Sequence, residues 1–225
     1  MGSMKDRLST LNRQYREIEI KALDGDSQEI AFYRRPTEIE DDILRKAMSE
    51  EYDTILTGLK DGDNSVYATL LEMFAKSDVA LSIDSLVSSQ AQAIRQRAVK
   101  ELGKPEPKED TTDEDRKAYI DELVPIFERY AEDIREMLRK DPKDVVASKA
   151  AQARVESIAS DRAFEIYRRR LIAQALFEKD EATDQFTRVF ETQEQVPEFL
   201  DTDTINSITS KIMEEMNRVK NLPLK

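Results

Sequence analysis

Residues 15–44, YREIEIKALDGDSQEIAFYRRPTEIEDDIL, change their hydrophobic period halfway, and that change decides the fold. In the first half Ile18, Ile20 and Ala22 alternate with Glu17, Glu19 and Lys21; Ile30 and Phe32 then alternate with Ala31 and Tyr33. Two period-two runs around Asp24-Gly25-Asp26-Ser27 predict a β-hairpin. An isolated hairpin is marginal in water, so its apolar face must cover a helix or pair with another chain. After Pro36 the spacing becomes helical. Thr37 and Glu40 form a capping box that contributes about 1 kcal/mol. Ile39, Ile43, Leu44, Ala47, Met48, Tyr52, Ile55, Leu56 and Leu59 are expected to share one apolar face. The acids Glu38, Glu40, Asp41 and Asp42 occupy the first turns, where negative charge offsets the helix dipole.

Outward from this stretch the pattern stays helical. Asp61-Gly62-Asp63-Asn64 ends the first helix, and apolar spacing resumes through Val66, Leu70, Met73 and Phe74. It continues from Val79 to Leu102, with Gly103 as a C-terminal cap. Lys104-Pro105-Glu106-Pro107-Lys108-Glu109-Asp110 has no apolar residue and predicts a linker or exposed loop. A helix capped by Thr111, Thr112 or Asp113 follows, with Pro125 predicting a kink or a late start. Asp141-Pro142 breaks it. Asp144 then opens the longest helix, expected to run to about Lys179 with Val145, Ala151, Val155, Ile158, Ala159, Ile166 and Leu171 inward. The segment around Phe186, Val189 and Phe190 reads equally as turn or helix. A last helix, capped by Asp203 or Thr204, is striped by Ile205, Ile208, Ile212, Met216 and Val219.

The expected fold class is mainly α, a helical bundle with a short N-terminal β-hairpin. The expected organisation is a flexible 1–14, a hairpin plus helical domain over 15–103, a linker over 104–112, and a helical region over 113–225. Met1-Gly2-Ser3-Met4 reads as a cloning scar, with Met4 a native start.

Composition narrows the chemistry. The chain of 225 residues has no cysteine and no histidine, so Ser-His and Cys-His nucleophile pairs are impossible and any metal would need oxygen ligands. The reading is therefore non-enzymatic, with no cofactor and no metal. Asp61, Asp63, Ser65, Tyr67, Thr69 and Glu72 match the oxygen positions of a calcium loop, but Val66 stands where the sharp turn demands glycine. A helix starting at Ser65 fits better. A net charge of −12 opposes binding to nucleic acid or to an anionic membrane. No apolar run approaches the roughly 20 residues of a membrane helix. Charged residues at 36% and only 5 Gly suit long helices with solvated faces.

Arg168-Arg169-Arg170 is the densest basic run. Three successive helical residues cannot share one flat patch, so salt bridges to Glu165 and nearby acids are expected. Arg34-Arg35-Pro36, where hairpin meets helix, supports two readings: arginines bonding the helix's acids, or a corner that contacts a partner.

The order of these features resembles the tail assembly chaperones of long-tailed bacteriophages. The residues that carry the resemblance are the hairpin ending in Arg34-Arg35-Pro36-Thr37, then Arg168-Arg169-Arg170-Leu171 with Phe177. After these come the segment Asp184 to Gln195, containing Val189-Phe190-Glu191-Thr192-Gln193-Glu194, and the terminal Ile-spaced helix. The proline-containing 104–110 and the Ala-rich helix after Asp144 have no counterpart in that pattern. The resemblance implies a protein of the host cytoplasm, absent from the mature virion. It would coat a long helical client, the tape-measure protein, and keep it soluble while the tail tube polymerises. A longer form made by frameshifting is known in that family. Partner contacts are expected at Ile18, Ile20, Phe32, Arg34, Arg35, Phe190, Ile205, Ile208 and Ile212, with self-association through the hairpin edge. The competing expectation is a self-assembling helical scaffold or adaptor.

Overall fold

Tyr15–Lys21 (β1) and Gln28–Arg34 (β2) pair antiparallel, with Ile18 opposite Ala31 and Arg16 opposite Tyr33. The alternation therefore does what its period requires. The computed structural model describes residues 15–21, 28–107 and 111–220. The Asp24–Ser27 turn, residues 1–14 and Lys108–Asp110 lie outside the described residues. Among the described residues the chain forms four strands and eight helices, so the mainly α class with an N-terminal hairpin holds.

The helices are α1 (Glu38–Lys60), α2 (Val66–Lys76), α3 (Val79–Ser89), α4 (Ala91–Leu102), α5 (Asp113–Leu138), α6 (Lys143–Ala175), α7 (Val196–Phe199) and α8 (Thr202–Lys220). Their ends follow local chemistry. The Thr37 N–H donates to Glu40 Oε2 at 2.7 Å while the Glu40 N–H donates to Thr37 Oγ1 at 3.3 Å, the expected box. Ser65 caps α2 by accepting from Ala68 N–H at 3.1 Å, so the calcium-like spacing belongs to a helix start. Gly103 closes α4 at φ 66 in the left-handed region. Thr112 caps α5, which begins at Asp113 and runs through Pro125, so a late start is ruled out. Asp201, rather than Asp203 or Thr204, caps α8: its Oδ1 accepts the Thr204 N–H at 2.6 Å.

The largest departure comes after Ala175. The helix expected to reach Lys179 stops there, and Leu176–Asp180 (β3) turns into Gln185–Arg188 (β4). The sheet order is β1-β2-β3-β4. Phe177 lies opposite Phe32, and Leu176 opposite Tyr33. β2 thus gains a second partner, whose ladder bonds replace the helical bonds given up beyond Ala175. Asp180 Oδ1 accepts from Ala182 N–H at 2.8 Å and Thr183 N–H at 3.2 Å, which shapes the turn between β3 and β4. The segment around Phe186, read as turn or helix, is strand β4.

The chain divides into two compact units by contact, and the division falls elsewhere than the expected 104–112 linker. Unit 1 comprises residues 1–53 and 161–225; unit 2 comprises 54–160. The 104–112 segment lies inside unit 2. Lys104 there pairs with Glu122 at 2.5 Å and Glu106 with Arg95 at 3.2 Å, while Glu101 of α4 pairs with Arg129 of α5 at 2.5 Å.

Unit 2 is built around Phe74, Ile83, Leu86, Ile94, Ile134, Leu138, Val146 and the buried alanines Ala147, Ala150 and Ala151. Of the expected inward face of α6, Ala151, Val155, Ala159 and Leu171 are buried, while Val145 is exposed and its neighbour Val146 is buried instead. Unit 1 is built around Leu44, Leu171, Ile172, Leu176, Ile208 and Ile212, against the Ile18, Ile20, Ala31 and Tyr33 face of the hairpin. The expected α1 stripe is only partly used, since Leu44 is buried while Ile39 and Ile43 face solvent.

Candidate functional site

The two faces of the unit 1 sheet have different fates, and period-two alternation separates them. Ile18 and Ile20 of β1, with Ala31 and Tyr33 of β2, enter the core. The other parity presents Tyr15, Phe32, Phe177 and Phe186 on the opposite face. Tyr15 stacks on Phe186 with ring centroids 4.0 Å apart and meets Phe177 edge-on at 5.0 Å. Phe32 meets Phe186 edge-on at 5.3 Å. Tyr15, Phe32 and Phe186 remain half-buried, and neighbouring Ile30 is exposed. Such aromatic groupings contribute about 0.5–1.5 kcal/mol per pair beyond area burial.

A basic corner closes one end of this face. The Arg34 guanidinium lies 5.6 Å from the Phe177 ring centroid and pairs with Glu40 through two contacts, at 2.6 and 2.9 Å. Its hydrogen bonds to Arg34 and then to Thr37 hold the Glu40 carboxyl down at about 2, against the desolvation that opposes them. Arg16, on the core-facing parity of β1, reaches Glu215 of α8 at 2.5 Å. Arg35 is half-buried and forms no ion pair among the described residues. Arg16, Arg34, Arg35, Thr37 and Glu215 line a cavity of about 330 Å³ at this junction.

The nine expected partner contacts separate into two groups. Ile18, Ile20, Phe190, Ile205, Ile208 and Ile212 are buried in the unit 1 core, so the expectation that they face a partner is corrected. They are the apolar side of an internal packing, with Ile212 fully excluded from solvent. Phe32, Arg34 and Arg35 stay at the surface and are brought together at the end of β2. Of the two readings of Arg34-Arg35, the bond to the helix's acids is present at Arg34, which pairs with Glu40.

Tyr15, Phe177, Phe186 and Arg16 were not legible as site residues. Tyr15 carried a signal, since it heads the alternating run on the parity opposite Ile18. Arg16 carried none, because Glu215 lies 199 positions away. In Arg168-Arg169-Arg170 each arginine has its own partner: Asn206, Glu165 and Glu51 respectively, the last at 2.6 Å.

Among the described residues no helix is long and apolar enough to cross a membrane, and no group of three or more carboxylates is placed to hold a metal ion. No protein-family model matches the chain, and no curated protein or solved structure is significantly similar to it.

Proposed function

We propose that this chain is a non-enzymatic tail assembly chaperone of a long-tailed bacteriophage, which binds the tape-measure protein and keeps it soluble while the tail tube assembles. The observation that carries the reading is the half-buried aromatic face of Tyr15, Phe32 and Phe186 beside exposed Ile30. Aromatic rings offer a large contact area at low entropic cost, and an amphipathic client helix needs such a surface to cover its apolar stripe. The net charge of −12 keeps the resulting complexes mutually repelling, which opposes aggregation. The sequence order from Arg34-Arg35-Pro36-Thr37 to the terminal Ile-spaced helix supports the same assignment. The protein would act in the host cytoplasm and be left behind by the finished virion.

The test is co-expression with the tape-measure protein from the same genome. The client is expected in the soluble fraction, bound to this chain, and expected to precipitate when the chain is omitted. A Phe32→Thr, Phe186→Thr double variant keeps strand propensity and should lose capture while retaining its circular dichroism spectrum. A client equally soluble without the chain would overturn the reading.

A second reading, a self-assembling scaffold, is favoured by one feature. β1 sits at the sheet edge and pairs only with β2 among the described residues. Sedimentation of the purified chain decides: large homo-oligomers that exclude the client would support the scaffold.

A further inference from the structure

We propose that the N-terminal half of α5 docks against the same half of a second copy of this chain, as an antiparallel pair with its two-fold axis between Ile120 and Val124. One stripe of α5 carries the argument. Ile120, Val124, Ala131 and Leu138 follow one another at steps of four, seven and seven residues, so they fall within about 40° around the helix. In the C-terminal half that stripe enters the unit 2 core, with Ala131 1% and Leu138 9% exposed. In the N-terminal half it is uncovered, leaving Ile120 53% and Val124 48% exposed beside half-buried Leu123 and Phe127. The apolar row thus runs about two turns beyond the core it serves.

Charge placement selects the occupant. Lys117 precedes Ile120 by three residues and Glu128 follows Val124 by four, so both lie on the same flank of the row. Lys117 is exposed, and the Glu128 side chain is 61% exposed with a long pairing to Arg135 at 3.8 Å. An antiparallel copy sets each Ile120 against the partner's Val124 and each Lys117 beside the partner's Glu128, so two ion pairs form by symmetry. A parallel copy would set Lys117 against the partner's Lys117 and Glu128 against the partner's Glu128, which is repulsive. The row is therefore complementary to itself, and in one orientation. A contact of about two turns per helix falls below the roughly 1,200 Å² of a standard interface, so the dimer is weak and reversible.

This inference does not rest on the client-binding reading, because its residues belong to unit 2 and the aromatic face belongs to unit 1. The test is sedimentation equilibrium of the full chain over a concentration series into the millimolar range. The average mass is expected to rise toward twice that of one chain. Ile120→Glu should hold the mass at one chain throughout, with an unchanged circular dichroism spectrum. Lys117→Glu and Glu128→Lys should each weaken the dimer about tenfold, since each turns two symmetric attractions into repulsions. The double variant should return to within about twofold of the parent. These surface charge reversals decide the matter even if Ile120→Glu misfolds. A single-chain mass at every concentration would overturn the proposal. So would association unchanged by Ile120→Glu, or a double variant no tighter than either single one.

Discussion

Arg34 and Glu40 form a two-pronged ion pair, Nη2 to Oε1 at 2.6 Å and Nη1 to Oε2 at 2.9 Å, that fastens the end of β2 to the first turn of α1. The same carboxylate closes the capping box on Thr37, so one side chain serves strand and helix together. Its carboxyl is lowered from 4.5 to about 2 in the folded protein. A depressed carboxyl stabilises the fold fully above its unfolded value, and that stabilisation drains away as pH falls through the folded value. Glu40→Gln should therefore cost about 1–2 kcal/mol near neutral pH. The gap from the parent should be constant above about 4.5 and close as pH drops toward about 2. Urea unfolding of both proteins across that range measures it, and a gap unchanged at low pH would contradict the pairing.

Ile212 separates a core role from a partner role. It is 0% exposed within the unit 1 core, so Ile212→Ala should cost about 2–5 kcal/mol by loss of burial and cavity formation. Denaturant titration without any partner present is the measurement. A near-neutral result would return the residue to a binding surface.

Ile39 makes the opposite case. It is 73% exposed on the first turn of α1, so Ile39→Glu should change stability by no more than about 0.5 kcal/mol. The added acid also lies where the helix dipole favours it. Leu44, 1% exposed on the same helix, should lose about 2–5 kcal/mol on truncation to alanine. Thermal melts of the two variants side by side test which face of α1 is inward.

Gly103 tests a local rule inside unit 2. Its φ of 66 is left-handed, and an added Cβ would meet only the Glu101 carbonyl oxygen, at 3.9 Å. Space is therefore no obstacle, and the cost of Gly103→Ala is backbone strain of about 1 kcal/mol. Gly103→Asn should cost less, since asparagine tolerates this conformation. Equal melting of all three proteins would argue against the cap.

Much of the fold was legible because its signals are local. The hairpin alternation from Tyr15 to Arg34, the Thr37–Glu40 box, the Ser65 start, the Gly103 stop and the Asp141-Pro142 break each depend on residues within a few positions of one another. Periodicity also found Ile205, Ile208 and Ile212 as one stripe. It could not say what the stripe faces, because an apolar row looks the same against a partner as against the chain's own sheet. Of the site, Phe32, Arg34 and Arg35 were legible, whereas Tyr15 and Arg16 were not, because their contacts Phe177, Phe186 and Glu215 lie far along the chain.

By itself the amino-acid order determined where helices cap and turn, which hairpin residues share a face, and that histidine and thiol chemistry are absent. Only the tertiary structure decided that Leu176–Asp180 leaves its helix to become the third strand. The reason is that β2 could satisfy a second row of backbone hydrogen bonds only with a segment more than 140 residues away, a pairing that no local pattern encodes. The tertiary structure likewise decided that Tyr15 meets Phe177 and Phe186, that Phe186 meets Phe32, and that Arg16 finds Glu215. Those are relations between distant residues, set by packing.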